Sequence, residues 1–147
     1  MIEYNCRLGD PETEVVIPRI ENDLVELLIA TSQQRLDEIV LKVDKQAAAT
    51  IMAVSGGYPN DHETDKVIDG LDDTFLEGTY IFHAGTKKED GQILTNGGRV
   101  LAVTSFGDTI REAVEQSVYM LEQIYFDGIY FREDIGYEFK HSNNNAD

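Results

Sequence analysis

The sequence has no tryptophan, one cysteine and 3 prolines in 147 residues, and it is poor in positive charge: 12 Lys and Arg against 28 Asp and Glu, a formal net charge of −16. The lone cysteine, Cys6, excludes an intrachain disulfide and points to a reducing, cytoplasmic setting. The absence of clustered Lys and Arg excludes a nucleic-acid footprint and docking to an anionic membrane surface. No apolar run reaches membrane-spanning length, and the first residues lack a basic-then-apolar leader. A hydrophobic content of 41% supports a packed core. The acidity itself is most simply read as solubility.

Organisation follows from periodicity. Ile2, Tyr4 and Cys6 alternate with Glu3, Asn5 and Arg7, a strand pattern. "GDPET" ends it and predicts a helix with Asp10 as N-cap, Pro11 at the first helical position and Glu12 in the first turn; Pro18 breaks that helix early. Asn22 or Asp23 caps a second helix, on which Leu24, Leu27, Leu28 and Thr31 recur. "AAATIMAVSGGYP" reads as a buried strand breaking at Gly56-Gly57, and "TYIFH" as another strand. "QILTNGGRVLAVTSFG" predicts a hairpin turning at Asn96-Gly97-Gly98. Asp108 or Thr109 then caps an amphipathic helix with Ile110, Ala113, Val114, Ser117, Val118 and Leu121 on its apolar stripe. The pattern is α+β with a small, mainly antiparallel sheet and a packed helix. Residues 1–46, 47–140 and 141–147 divide into an N-terminal unit, a sheet-and-helix domain and a frayed polar tail.

The chemistry crowds into "EYNCRLGDPETE". On a strand, Glu3, Asn5 and Arg7 share one face at about 7 Å spacing. A carboxylate and a carboxamide oxygen are hard donors of the kind Mg²⁺ takes when phosphates and water complete its shell. Arg7 offers a planar fork to a phosphate or acyl-phosphate oxygen. A solvated strand followed by a helix cap accounts for the same residues, so spacing alone leaves both readings open. The functional one gains from the strand running straight into a helix N-terminus.

Together with "SGGYP", "GTYIFHAGT", "LTNGGRVLAVTSFGDTIREAVEQ" and "FREDIG" in the same order, that motif resembles the phosphoribosylamine–glycine ligase family, the glycinamide ribonucleotide synthetases. The resemblance runs from Ile2 to about Gly136. It implies the end of an ATP-grasp region followed by a C-terminal domain, and ATP-dependent joining of 5-phosphoribosylamine and glycine through glycyl phosphate in purine biosynthesis. Carried over, Glu3 and Asn5 match the metal ligands (Mg²⁺ or Mn²⁺). Arg7 matches the arginine near the transferred phosphate, and Asp10, Pro11, Glu12 and Thr13 match the loop closing the substrate side. The glycine-rich flap, phosphate lysines and adenine pocket of such a ligase are missing from these 147 residues. The chain is therefore expected to be a C-terminal fragment, inactive alone and prone to dimerise through the exposed strand face of Ile2, Tyr4 and Cys6.

The remaining candidates have plainer readings. Both glycine pairs read as turn residues at positive φ, with close approach to a phosphate as the alternative for "SGGYP". His83 reads as a hydrogen-bonded structural histidine, and Cys6 as core. Arg99 is either a surface charge or a substrate contact. His62 and His141 lack metal-ligand spacing, and "NDHETD" lacks the glycine and distal glutamate of a calcium loop. Two other functions compete. One is a carboxylase-type ATP-grasp enzyme, disfavoured by the acidic "GDPETE"; the other is a non-catalytic lid or binding module serving a separate ATP-binding chain.

Overall fold

A computed structural model describes residues 7–71 and 76–139 of the chain. Except for Arg7, the strand expected at the start lies outside the described residues, as does the tail expected over 141–147. The rest is α+β: β1 (Ala47–Val54), β2 (Thr79–His83) and β5 (Arg99–Gly107) form an antiparallel sheet in the order β1-β5-β2. A separate antiparallel pair, β3 (Thr86–Glu89) and β4 (Gln92–Thr95), stands beside it.

The central strand explains the architecture. From Val100 to Gly107 every residue of β5 is buried, which requires cover on both faces of the sheet as well as partners on both edges. On β1 the burial alternates, with Ala49, Ile51 and Ala53 inward. Those three oppose Ser105, Val103 and Leu101 in the register, and this face meets α3 (Ile110–Glu122). Ala113, Ser117, Met120 and Leu121 of α3 are buried there, joined by Ile124 and Phe126 just beyond its end. The Ser117 hydroxyl, fully buried, donates to the Ala49 carbonyl at 3.1 Å, so the one polar group on the stripe is satisfied. The stripe expected of this helix is thus the face it buries, and Thr109 is its cap, accepting from the Glu112 N–H at 3.2 Å. Glu112 reaches back to the Asp108 N–H at 2.9 Å, a near relative of the capping box.

The opposite face carries Thr50 and Thr104, which are paired in the register, and here the N-terminal segment lies. A single turn of helix, α1 (Thr13–Val16), runs into a 3-10 turn at Ile17–Arg19, the switch falling where Pro18 enters. The connector at 42–44 is tied back on this segment: the Glu21 N–H donates to Lys42 O at 3.0 Å and the Asp44 N–H to Arg19 O at 2.8 Å. α2 (Leu24–Ser32) is capped by Asp23, whose Oδ1 accepts from the Val25 and Glu26 N–H groups at 2.8 and 3.1 Å. Asn22, the other candidate cap, holds the connector through Lys42 N–H at 2.6 Å instead. The apolar residues of α2 stay largely in solvent, Val25 62% and Leu28 61% exposed, and Ala30 alone is buried.

The expected hairpin is misplaced. β4 does not turn back at Asn96-Gly97-Gly98 to pair with β5; it pairs with β3 through the two-residue turn Asp90-Gly91. Both residues there have positive φ, 49° and 84°, the conformation Asp-Gly supplies in tight hairpins. β5 instead takes β1 and β2 as neighbours. The acidic segment after Pro59 lies along β4, with the Ile68 N–H donating to Ile93 O and the Thr95 N–H to Lys66 O, both at 2.8 Å. Lys87 of β3 clasps it, its ammonium 2.5 Å from Asp65 Oδ1 and 3.0 Å from Glu89 Oε2.

Two outcomes test this packing. Leu121→Ala, at a fully buried position, should cost about 2–5 kcal/mol in urea denaturation. The hydrogen bond from Lys87, helped by that from Thr64 and by the lysine's charge, holds the Asp65 carboxyl below its ordinary 3.8. The native-state value is depressed, so the clasp's contribution is present above pH 3.8 and is lost as pH falls through the native value. A carboxyl-carbon titration should find the Asp65 midpoint below 3.8, returning toward it in Lys87→Met; a midpoint unmoved by that substitution would remove the clasp.

Candidate functional site

The quoted motifs meet at one end of the sheet, where β1 and β2 finish and β5 begins. Ser55, the residue after β1, is buried, and binds the Asn96–Arg99 turn twice: its N–H donates to Gly98 O at 2.8 Å and its hydroxyl to Gly97 O at 2.9 Å. Just beyond β2, Gly85 donates its N–H to Arg99 O at 2.8 Å, and its carbonyl accepts from the Asn96 N–H at 2.7 Å. Glycine is required at this crossing. A Cβ on Gly85 would stand 2.5 Å from Arg99 O and 2.9 Å from the Gly97 Cα, both backbone atoms. Gly98 lies under the Tyr58 ring, with no room for a side chain between them. Gly97 and Gly98 are not at positive φ, contrary to expectation; they are glycines because two loops and a ring pack onto their backbone. Gly57 does take positive φ, 96°, while Gly56 is held against the Gly128 carbonyl, 2.9 Å from where its Cβ would be.

Onto this corner folds the Gly9–Glu14 turn. The Thr13 N–H donates to Gly9 O at 3.0 Å, and the Thr13 hydroxyl bonds the same carbonyl. Asp10 is not the expected N-cap. The helix starts later, after Glu12, which caps it with no side-chain hydrogen bond. The Asp10 carboxylate accepts instead from Arg99 Nη2 at 2.8 Å, a partner 89 residues away. A charge-assisted bond outweighs a local cap on an exposed turn. The Asp10-Pro11 peptide is cis. Further along, the fully buried Thr104 hydroxyl donates to Glu14 O at 3.0 Å. The Thr104 hydroxyl also meets that of Thr50 at 2.9 Å, and the Thr50 hydroxyl donates to Val103 O at 3.4 Å. Thus two side chains of β5, Arg99 and Thr104, fix the two ends of the turn.

Of the predicted site residues, Asp10, Pro11, Glu12 and Thr13 therefore sit together over the sheet's end, Asp10 and Glu12 exposed. Arg7 is exposed and donates to Leu8 O at 3.0 Å. Glu3 and Asn5 lie outside the described residues. The expectation for His83 is met by a 3.0 Å contact between Nδ1 and the Thr86 hydroxyl. Among the described residues no three His, Cys, Asp or Glu side chains are grouped to hold a metal, and no helix is long and apolar enough to cross a membrane.

With this geometry in place, comparison with known proteins is decisive. The family model "Phosphoribosylglycinamide synthetase, C domain" matches residues 48–138, more than half of the chain. The chain belongs to this family. It is 45% identical over 137 residues to the phosphoribosylamine–glycine ligase of Vibrio parahaemolyticus, covering 93% of this chain and 32% of that protein. With the ligase of Escherichia coli K12 the identity is 44% over 138 residues, at the same coverage. The crystal structure of the Thermotoga maritima ligase superposes with a TM-score of 0.70 at 32% identity, over 91% of this chain and 32% of that one. The chain thus spans about a third of the length of the relatives it matches, 32%.

Within the family's C domain, the matched span begins one residue into β1 and closes at the 3-10 turn Tyr137–Phe139. Sequence reading did not reach the Arg99–Asp10 contact, because no local pattern links residues so distant. Its signal was present only as a cation next to a glycine pair. Gly85→Ala should be destabilising by about 1–3 kcal/mol, and should shift the Arg99 and Gly97 amide resonances most. Unchanged stability and spectra would show that the corner is looser than described.

Proposed function

We propose that this chain acts as the C-domain portion of an ATP-dependent phosphoribosylamine–glycine ligase, with residues 1–46 contributing the last part of an ATP-grasp region. The observation that carries this is the Gly9–Glu14 turn held by Arg99 and Thr104 of the C-domain sheet, on a chain 45% identical to a ligase of that name. In the reaction so assigned, the glycine carboxylate takes the γ-phosphoryl group of ATP, releasing ADP. The amine of 5-phosphoribosylamine then displaces phosphate from glycyl phosphate.

Glu3 and Asn5 would hold Mg²⁺ or Mn²⁺. A carboxylate with a carboxamide oxygen fits a hard cation whose remaining ligands are phosphate and water. Bound there, the ion would neutralise phosphate charge. Arg7 would hold oxygens of the phosphoryl group with its fork. The exposed carboxylate of Glu12 would draw the substrate amine, while Asp10, anchored by Arg99, keeps the turn seated. The setting consistent with the enzyme is the cytoplasm. The glycine-rich flap and phosphate lysines that such catalysis needs do not occur in these 147 residues.

Exchange of the matching third of the Escherichia coli ligase for this chain tests the proposal. The chimera should form glycinamide ribonucleotide, and Glu3→Ala or Asn5→Ala in it should lower kcat at least about 100-fold. The 147 residues alone should show no turnover. Turnover by the chain alone, or a chimera indifferent to both substitutions, would contradict the assignment.

A further inference from the structure

The turn at the sheet's end begins with an Asn-Gly pair, Asn96-Gly97. Asparagine is a chemically labile side chain, and it is most open to attack by the next backbone nitrogen when glycine follows, because glycine has no Cβ to shield that nitrogen. Whether the attack occurs in a folded chain depends on what holds the two groups. Among the described residues the asparagines are Asn22, Asn60 and Asn96. Asn22 is clamped at both ends of its carboxamide: Nδ2 donates to Val40 O at 3.1 Å, and Oδ1 accepts from the Lys42 N–H at 2.6 Å. Asn60 is followed by Asp61, whose side chain hinders its nitrogen. Asn96 is exposed and lies between the end of β4 and the start of β5, outside either ladder. Its carboxamide has no hydrogen-bond partner among the described residues.

The adjoining nitrogen is equally free. The Gly97 N–H donates to no acceptor among the described residues. A Cβ on Gly85 would stand 3.1 Å from Gly97 N, so glycine at 85 leaves that side of the nitrogen uncovered. The hydrogen bonds of the corner fall on other atoms: the Asn96 N–H binds Gly85 O, and Gly97 O and Gly98 O accept from Ser55. They hold the turn without holding the reacting pair.

We propose that Asn96-Gly97 is a self-modification site, at which the folded chain deamidates through a succinimide. The Gly97 nitrogen bonds to Asn96 Cγ, the Cγ–Nδ2 bond breaks, and the Gly97 proton leaves with the amide group as ammonia. Solvent water then opens the ring at either carbonyl, giving aspartate or isoaspartate, so that amide and water become acid and ammonia. The isoaspartyl product carries the chain through the former side chain and lengthens the backbone by one atom. The corner has no slack for it, since Gly97 Cα already lies 2.9 Å from where a Gly85 Cβ would be. The bonds from Ser55 to Gly98 O and from Gly85 to Arg99 O therefore open, and with them the seat of Arg99 against Asp10. Deamidation thus acts as a slow, one-way release of the front of the Gly9–Glu14 turn, whose rear stays pinned through Thr104. The inference rests on the chemistry of the corner and not on the ligase reading.

Ageing the whole chain in mildly alkaline buffer, followed by tryptic peptide masses and isoaspartyl methyltransferase labelling, tests the site. The mass gain of an amide-to-acid exchange should accumulate in the peptide 89–99, together with isoaspartate, at a rate comparable to that of the chain unfolded in urea. The rate should rise with pH, because the Gly97 nitrogen must lose its proton, while Asn22 and Asn60 lag behind. Asn96→Gln should lose the modification. Gly97→Ala, whose Cβ would stand 3.3 Å from Gly85 Cα and so fits with little movement, should slow it several-fold. Hydrogen exchange reads the consequence: the Ser55 and Gly85 amides should lose protection in the aged protein but keep it in Asn96→Asp, which has the charge without the extra backbone atom. Asn96 intact in the folded chain while the urea-unfolded chain deamidates there would overturn the site. Protection retained at Ser55 and Gly85 in isoaspartyl protein would overturn the release. Turnover of freshly prepared chimera tests the ligase reading separately.

Discussion

β5 has no face in water, and most of the molecule answers to that one fact. A strand buried from Val100 to Gly107 needs apolar cover on two sides and closed hydrogen bonding on two edges. β1 and β2 close the edges. α3 covers one face with Ala113, Ser117 and Leu121. The other face is covered by a segment whose backbone must be satisfied there, and the fully buried Thr104 supplies the donor that meets Glu14 O. A burial requirement of the core thereby places the Gly9–Glu14 turn.

From this follows the division of labour at the sheet's end. The glycines at 85, 97 and 98 let three chain segments cross within van der Waals distance, and that crossing aims Arg99 outward, where it meets Asp10. The turn is consequently built by two parts of the chain that sequence separates by about ninety positions, 89 for the ion pair. The sheet is in this respect a support for the turn that precedes it in the chain. The apolar residues left exposed on α2 fit that relation, since they belong to the segment rather than to the sheet.

Legibility in the sequence varied with how local the determining physics was. α3 was readable apart from the choice between Asp108 and Thr109 as its cap, because its stripe and its cap lie within a few residues of one another. β1 and β2 were readable from apolar runs that end in turn residues. The hairpin was not: the apolar run on both sides of Asn96-Gly97-Gly98 suggests a turn there, whereas the turn that forms is Asp90-Gly91. The Asp-Gly pair, needing positive φ at both positions, was the stronger signal. The start of α1 was misjudged because Asp10 had a non-local competitor for its carboxylate, Arg99. The candidate turn was legible as a motif, yet what holds it could be seen only in three dimensions.

The claim on which this account depends is that the turn and the sheet form one cooperative body through Thr104. Hydrogen exchange at the Thr13 and Val16 amides, bonded at 3.0 and 2.9 Å to Gly9 O and Glu12 O, measures it directly in wild type and Thr104→Val. The account predicts that both amides lose their protection in the variant while those of β1 and β5 keep most of theirs. Protection unchanged at Thr13 and Val16, or lost equally throughout the sheet, would contradict it.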